Sequence, residues 1–358
     1  MRASVFVAVF GAALFCGRAS AQEPQPAATA AQPAAEAPSP WLLAPLVSSS
    51  PKLGTSGGAL GAYVTVLDAG SRVSLFGAMA QYTSTQSVIA TAFARTSFGA
   101  DHHRLVAVAV FGNIKNDYQD YLGTGQPLKT NDDLRAIATR YLFRATGDWF
   151  VGAQFNAANY QVLGATPEDE FVLETLGIRG FSSAALGAVV MHDSRNNEDM
   201  PTRGWYLNVN NLAYREAFGG SNSYDAYRAD FKIFVPHGDG QVLAFRQFNW
   251  LTADAPAAGQ ATVVLRGYKF GQYLAPYMSS LEAEERLAFG RRWGATLFTG
   301  LAALYGTSST PLSRDLYPTV GAGLQFILKP DKRLLANLEY AQGVEDNHGI
   351  YLKFGYGW

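Results

Sequence analysis

The chain carries a two-residue rhythm of apolar and polar positions that recurs from about residue 41 to its end. In the last segment Ile350, Leu352, Phe354, Tyr356 and Trp358 alternate with Tyr351, Lys353, Gly355 and Gly357. A helix, with 3.6 residues per turn, would scatter these two sets; period two puts them on opposite faces of a strand. The same alternation sets Ala336, Leu338 and Tyr340 against Asn337 and Glu339, and Phe231, Ile233 and Val235 against Asp230 and Lys232. One such strand fits a soluble sandwich. Its recurrence along the whole chain points to a membrane barrel, whose strands need about 9–11 residues with lipid-facing apolar and lumen-facing polar or small positions.

The rhythm predicts sixteen strands at roughly 41–48, 58–68, 72–82, 87–98, 103–116, 132–145, 148–162, 183–193, 204–214, 227–236, 241–252, 279–290, 293–305, 317–328, 333–343 and 349–358. The connections near 146–148, 237–240, 290–292 and 329–332 are tight turns, whereas 117–131, 163–182, 215–226, 253–278 and 306–316 are long. Membrane barrels alternate short periplasmic turns with longer external loops, and an even count returns both ends to the periplasm. The expected fold is all-β: a transmembrane antiparallel β-barrel of about 16 strands. Trp149, Trp205, Trp250, Trp293, Tyr340 and Trp358 lie near strand ends and are expected in interfacial girdles.

The first residues set the compartment. Arg2, the apolar run from Val5 to Phe15 and the small-residue site Ala19-Ser20-Ala21 predict a cleaved signal peptide over 1–21. That run is well short of the roughly 20 residues a spanning helix needs. Cys16, the only cysteine, lies inside it after Phe15, where a lipoprotein signal wants a small residue. The mature chain is therefore expected to form no disulfide or thiolate site. Residues 22–40, almost all Ala, Pro, Gln and Glu, are expected to be a disordered periplasmic tail. The barrel is expected over 41–358, in the outer membrane of a Gram-negative cell and in contact with its lipid.

Composition narrows the function. Charged residues are 16% of the chain, against roughly 25% in ordinary soluble domains, and aromatics are 13%. The net charge is negative, so nucleic acid is not an expected partner. No phosphate loop, zinc spacing or dinucleotide fingerprint is present, and no cofactor is expected. His192, Asp193, Glu198 and Asp199 include oxygen donors for a cation but lack a calcium-loop spacing, and are expected to form a solvated turn. Ser194 adjoins His192 and Asp193, yet consecutive strand residues point to opposite faces, so no catalytic triad is expected. An outer-membrane hydrolase remains a remote alternative.

Several blocks resemble the barrel of the BamA/TamA-type outer-membrane proteins, the bacterial surface antigen family. Asp193-Ser194-Arg195-Asn196 followed by Pro201-Thr202-Arg203-Gly204 is similar to the family's D-x-R-N…P-x-x-G turn. Leu265-Arg266-Gly267-Tyr268 resembles its V-R-G-Y/F tetrad in the long sixth external loop, five strands from the end. Ala283-Glu284-Glu285-Arg286 lies on the next strand, and the run from Val320 to Trp358 carries Pro330, Arg333, Glu339-Tyr340 and the terminal aromatic signal of Tyr356 and Trp358. The resemblance is good over 183–358 and weak over 41–182. It implies that the sixth loop folds into the barrel and that Arg266 reaches an acidic residue on the inner wall. The family's usual acid stands in an F-x-D pattern, where this chain has Phe298-Thr299-Gly300. Period two turns Glu282, Glu284 and Arg286 inward on one strand and Glu339 on another. Glu284 is the expected acceptor of Arg266, with Glu339 second. The same count turns Glu285 toward lipid.

The resemblance further implies a role in inserting protein or lipid into the outer membrane, or moving it across. Larger members carry periplasmic polypeptide-transport-associated domains, and the segment 22–40 leaves no room for one. The expected partners are unfolded outer-membrane or secreted polypeptides and a separate periplasmic protein. A seam between first and last strands gives insertion a physical basis: Pro45 and Pro51 each remove a ladder donor near the first strand, and Gly355 and Gly357 pack poorly in the last. The alternative is a passive channel or structural barrel plugged by the loop.

Overall fold

The computed structural model describes residues 39–50, 54–118, 128–161, 163–175, 181–198, 200–268, 272–290, 292–306, 315–329, 334–345 and 347–354. The expected signal peptide, most of the expected tail, Pro51, Asp199, Tyr356 and Trp358 lie outside the described residues. The strands are β1 (Trp41–Ser50), β2 (Gly54–Thr65), β3 (Ser74–Thr83), β4 (Val88–Phe98), β5 (His103–Tyr118), β6 (Leu128–Thr146), β7 (Trp149–Gln161), β8 (Phe181–Asp193) and β9 (Gly204–Tyr214). They continue as β10 (Tyr224–His237), β11 (Gln241–Ala253), β12 (Ala261–Thr262), β13 (Leu274–Ala275), β14 (Tyr277–Phe289), β15 (Trp293–Tyr305), β16 (Leu316–Lys329), β17 (Leu334–Gln342) and β18 (His348–Phe354). A helix, α1 (Pro167–Thr175), lies between β7 and β8. Among the described residues no helix is long and apolar enough to cross a membrane, which leaves crossing by strands untouched.

All strands but β12 and β13 form one 16-stranded sheet in which each is hydrogen-bonded to its neighbours in that series, antiparallel throughout. Its end strands β1 and β18 come within 8 Å of each other, so the sheet curls round into a barrel. Strand β12 pairs with β13 inside the β11–β14 loop.

The burial pattern is inverted relative to a soluble protein. Leu43, Phe76, Phe111, Ile137, Leu281, Leu297, Leu324, Leu338 and Ile350 are exposed on the outer face. Lys232, Glu282, Glu284, Arg286, Asn337 and Glu339 are buried on the inner one. Charged groups are almost never buried in soluble domains unless paired, and apolar exposure on this scale is an interaction surface. A barrel in hydrocarbon needs this arrangement, because only closed pairing satisfies the backbone there.

The tryptophans divide. Trp149 and Trp293 stand outward near the ends of their strands, and Tyr340 is outward too. Trp250, expected in a girdle, is instead buried inside, with the Arg228 guanidinium 4.1 Å from its ring centroid. On β11 the rhythm continues while its chemistry reverses: Phe248 and Trp250 point in, and Gln247 and Asn249 point out. That stretch packs on the β11–β14 loop, so apolar side chains are needed inside. Glu285, the outward acid, is met by His237 at the end of β10, whose Nε2 lies 2.8 Å from Oε1.

Candidate functional site

The β11–β14 loop descends into the lumen and buries its own apolar residues. Val263, Leu265, Tyr268, Tyr273 and Ala275 join Phe248, Trp250, Met278, Leu304 and Tyr317 of the wall in one core. Within this loop Arg266 is 8% exposed. Gly267 next to it has φ +96, a left-handed conformation natural only to glycine, and a Cβ there would lie 3.2 Å from the Gly343 amide. The loop backbone is stapled to the wall: Thr319 Oγ1 donates to Arg266 O at 2.7 Å, and Gly267 N donates to Tyr351 OH at 2.8 Å. Tyr268 OH donates to Pro318 O at 2.6 Å and accepts Val344 N at 3.2 Å.

The Arg266 guanidinium is surrounded by acids. Nη1 donates to Glu284 Oε2 at 2.8 Å and to Glu339 Oε2 at 3.3 Å, and Nη2 lies 3.7 Å from Glu282 Oε2. The plane stacks over Phe298, 3.5 Å from the ring centroid. Removing a guanidinium from water costs several kcal/mol, which only good geometry to carboxylates offsets. The carboxylates are themselves held. Glu284 Oε1 accepts Arg286 Nε at 2.7 Å, Glu339 Oε1 accepts Asn337 Nδ2 at 2.6 Å, and Glu282 Oε1 accepts Arg246 Nη1 at 3.2 Å. Arg246 also reaches Asp230 at 2.8 Å.

Gly300 explains how the site is built without an F-x-D aspartate. It pairs across the ladder with Glu282, and a Cβ at Gly300 would come within 3.1 Å of both Glu282 Cγ and Thr319 Cγ2. Glu282, on the neighbouring strand, occupies the space that a side chain at Gly300 would fill. Gly300→Asp alone is expected to destabilise the barrel by about 1–3 kcal/mol through overpacking, and Gly300→Asp with Glu282→Ala to recover most of it. Unfolding in detergent compares the two.

The other motif lies at the end of the barrel that holds the short turns, the periplasmic end. Here Asp193 takes Arg195 in two bonds, Nε at 2.7 Å and Nη2 at 3.1 Å. Asn196 Oδ1 accepts the amides of Thr202 at 3.0 Å and Arg203 at 3.2 Å. Gly204 has φ +96, and a Cβ would fall 2.3 Å from Ser194 O. Pro201, buried, turns its carbonyl to Arg286 Nη1 at 2.9 Å. Of the cluster expected to be a solvated turn, His192 and Asp193 are buried, while Asn196, Thr202 and Arg203 of the turn stay exposed. Asp193 is 3% exposed and also lies 3.2 Å from Arg72 and 3.5 Å from Arg104. Glu198 meets Arg72, with Arg95 and Arg104 each at 3.8 Å. Arginines occupy Asp193 and Glu198, two carboxylates a cation would have used. His192 lies on the outer face, stacked on Trp205 at 3.6 Å and edge-on to Trp149.

Neighbouring periplasmic turns are cross-linked by two further carboxylates. Asp68 accepts Ser71 Oγ at 2.6 Å and the amides of Gly99 and Ala100, each at 2.8 Å. The bond from Ser71, then those from the backbone, hold its carboxyl below the usual range of 3.8. Burial works to raise Asp101, but bonds from Arg104 and Ser97 and the charges of Arg104 and Arg72 bring it below its usual value too. A carboxyl that titrates lower when folded gives its full stabilisation above the unfolded value of about 4 and loses it as pH falls through the folded one. The melting temperature of the barrel in detergent is therefore expected to fall between pH 5 and pH 3, and less so in Asp68→Asn.

The two-residue rhythm turns Glu282 and Arg286 inward without giving either a partner, and nothing in it links Glu198 to an arginine. Parity along β14 held the first signal. Nothing local in the sequence marks Arg72, Arg95 and Arg104 as the seat of Glu198, because they come from separate elements.

The Omp85 superfamily domain matches residues 76–278, more than half of the chain. No curated protein sequence matches it. Among solved structures, BamA from Haemophilus ducreyi lacking POTRA domains 1–3 aligns over 88% of this chain and 69% of its own, at 12% identity and a TM-score of 0.57. CdiB from Escherichia coli aligns over 89% and 63%, at 10% identity and a TM-score of 0.63. CdiB from Acinetobacter baumannii aligns over 88% and 57%, at 9% identity and a TM-score of 0.59. At these identities the likeness is one of fold. With its 16-stranded barrel, its inward loop carrying Arg266 and the domain match across its centre, the chain belongs to the Omp85 superfamily.

Proposed function

We propose that this barrel assists polypeptide, or lipid, to enter or cross the outer membrane, receiving it from a separate periplasmic partner after export by the segment 1–21. The observation that carries this reading is the loop held in the lumen by Arg266 against Glu284, Glu339 and Glu282. The loop combines this charged latch with an apolar core shared with the wall, so it shifts only when both contacts give way. Pro45 in β1 supports a lateral route, since it leaves that end strand one ladder donor short.

Depletion in cells is expected to lower the amounts of other outer-membrane or secreted proteins. Crosslinking with mass spectrometry should then find client polypeptide at 41–50 and 349–354. Unchanged protein levels on depletion, together with a conductance that jumps on deleting 262–272, would establish the passive channel in its place.

A further inference from the structure

The β8–β9 turn and the β11–β14 loop enter the lumen from opposite ends and meet on one pair of side chains. Glu284 Oε2 accepts Arg266 Nη1 of the loop at 2.8 Å, and its Oε1 accepts Arg286 Nε at 2.7 Å. Arg286 in turn gives Nη1 to Pro201 O of the turn at 2.9 Å. All four residues are buried. Loop and turn are thus joined by three consecutive charge-assisted hydrogen bonds.

The turn also crosses the barrel. It leaves β8 and returns at β9, yet Glu198 is seated on Arg72 before β3, Arg95 on β4 and Arg104 on β5. On another wall Pro201 rests on Arg286 of β14. Strands β4 and β14 lie far apart in the sheet order, so a turn that touches both spans the periplasmic mouth. Its attachments are ionic or polar, and its own shape is fixed internally by Asp193–Arg195 and by Asn196. A body that is rigid within itself and polar at its anchors can move as a unit.

We propose that the β8–β9 turn is a gate over the periplasmic mouth, coupled to the external loop through Glu284 and Arg286. The coupling is electrostatic. When Arg266 leaves, Glu284 keeps only Arg286 to balance a buried carboxylate. Arg286 then turns both arms of its planar fork to that acid and gives up the neutral Pro201 carbonyl, the weaker acceptor. The gate loses its β14 anchor and keeps its seat on the opposite wall, where Glu198 meets Arg72, Arg95 and Arg104. By linkage the effect is reciprocal: withdrawal of Pro201 strengthens the hold of Arg286 on Glu284, loosening Arg266. The inference stands apart from the proposed function, because it holds whatever the barrel carries.

Pro201→Cys in the full chain carrying Cys16→Ser places a thiol that is buried while the gate is shut. Its rate of reaction with a cationic methanethiosulfonate in detergent micelles is the readout, after heat-modifiable gel mobility shows a folded barrel. Glu198→Gln and Arg266→Ala are each expected to raise the rate by about tenfold or more, the effect of one lost charge-assisted bond. Val110→Cys, buried on the β5 wall, is expected to stay slow in both backgrounds. An unchanged rate in Arg266→Ala overturns the coupling, and an unchanged rate in Glu198→Gln overturns the gate. Equal acceleration at Val110→Cys would show the whole barrel loosening and overturn both. If Pro201→Cys does not fold, Met200→Cys serves as the reporter.

Discussion

Glu284→Gln is expected to lower the unfolding free energy of the barrel by about 3–5 kcal/mol, the loss that follows when one partner of a buried ion pair is removed. Glu284 is 1% exposed and holds two guanidinia, Arg266 at 2.8 Å and Arg286 at 2.7 Å. Glutamine keeps the shape and one acceptor oxygen but brings no charge, so it isolates the electrostatic part. Glu284 meets two guanidinia at 2.7 and 2.8 Å, whereas Glu339 meets Arg266 at a longer 3.3 Å. Glu339→Gln should therefore cost less than Glu284→Gln. Guanidinium unfolding followed by gel mobility ranks the two variants, and equal losses would show that the acids share the load evenly.

Phe150→Ala is expected to cost about 3–5 kcal/mol, the usual toll of emptying a buried aromatic site. Phe150 is fully buried on the inner face at the periplasmic end, packed with Leu142, Val189 and Met191. Its ring also lies under two guanidinia, Arg104 at 3.9 Å and Arg144 at 4.5 Å from the centroid. Both arginines bind Asp101, so the ring holds up the ion network that links the turns. Phe150→Leu separates the contributions: it restores much of the volume but not the ring face, and should still cost about 0.5–2 kcal/mol. Thermal unfolding in detergent distinguishes them, and a Leu variant as stable as the parent would assign the whole effect to packing.

Strands were the legible part of this fold, because a barrel wall in lipid imposes period two without regard to distant contacts. All sixteen wall strands were expected from that rhythm, and β15 and β9 fall on the expected bounds. The parity of Glu282, Glu284, Arg286 and Glu339 followed from the same count. Two kinds of feature escaped. The first are elements inside connections. Helix α1 starts at Thr166-Pro167, where Thr166 Oγ1 accepts the Asp169 amide at 3.2 Å, an N-terminal cap signal that was present but short. Strands β12 and β13 have two residues each, too few to carry any periodicity.

The second kind depends on what fills the lumen. Trp250 was expected outside because aromatic residues at strand ends normally meet the interface, and it lies inside because the β11–β14 loop needs an apolar wall. The turn at 194–203 was expected to be solvated because three of its neighbours in space, Arg72, Arg95 and Arg104, are about a hundred residues away in sequence. Period two gives the face of a residue but not the identity of what it faces across the barrel. The family resemblance supplied the inward loop, and the place of Glu282 beside Arg266 became visible only from its pairing with Gly300.

Hydrogen–deuterium exchange of the full chain reconstituted in lipid tests the central claim, that the segment carrying Arg266 is packed in the lumen as firmly as the wall itself. Peptides covering 261–268 are expected to exchange on the slow timescale of β14 and β15, and to become fast in Arg266→Ala. Exchange of 261–268 within seconds in the unmodified protein, at the rate of an exposed loop, would contradict it.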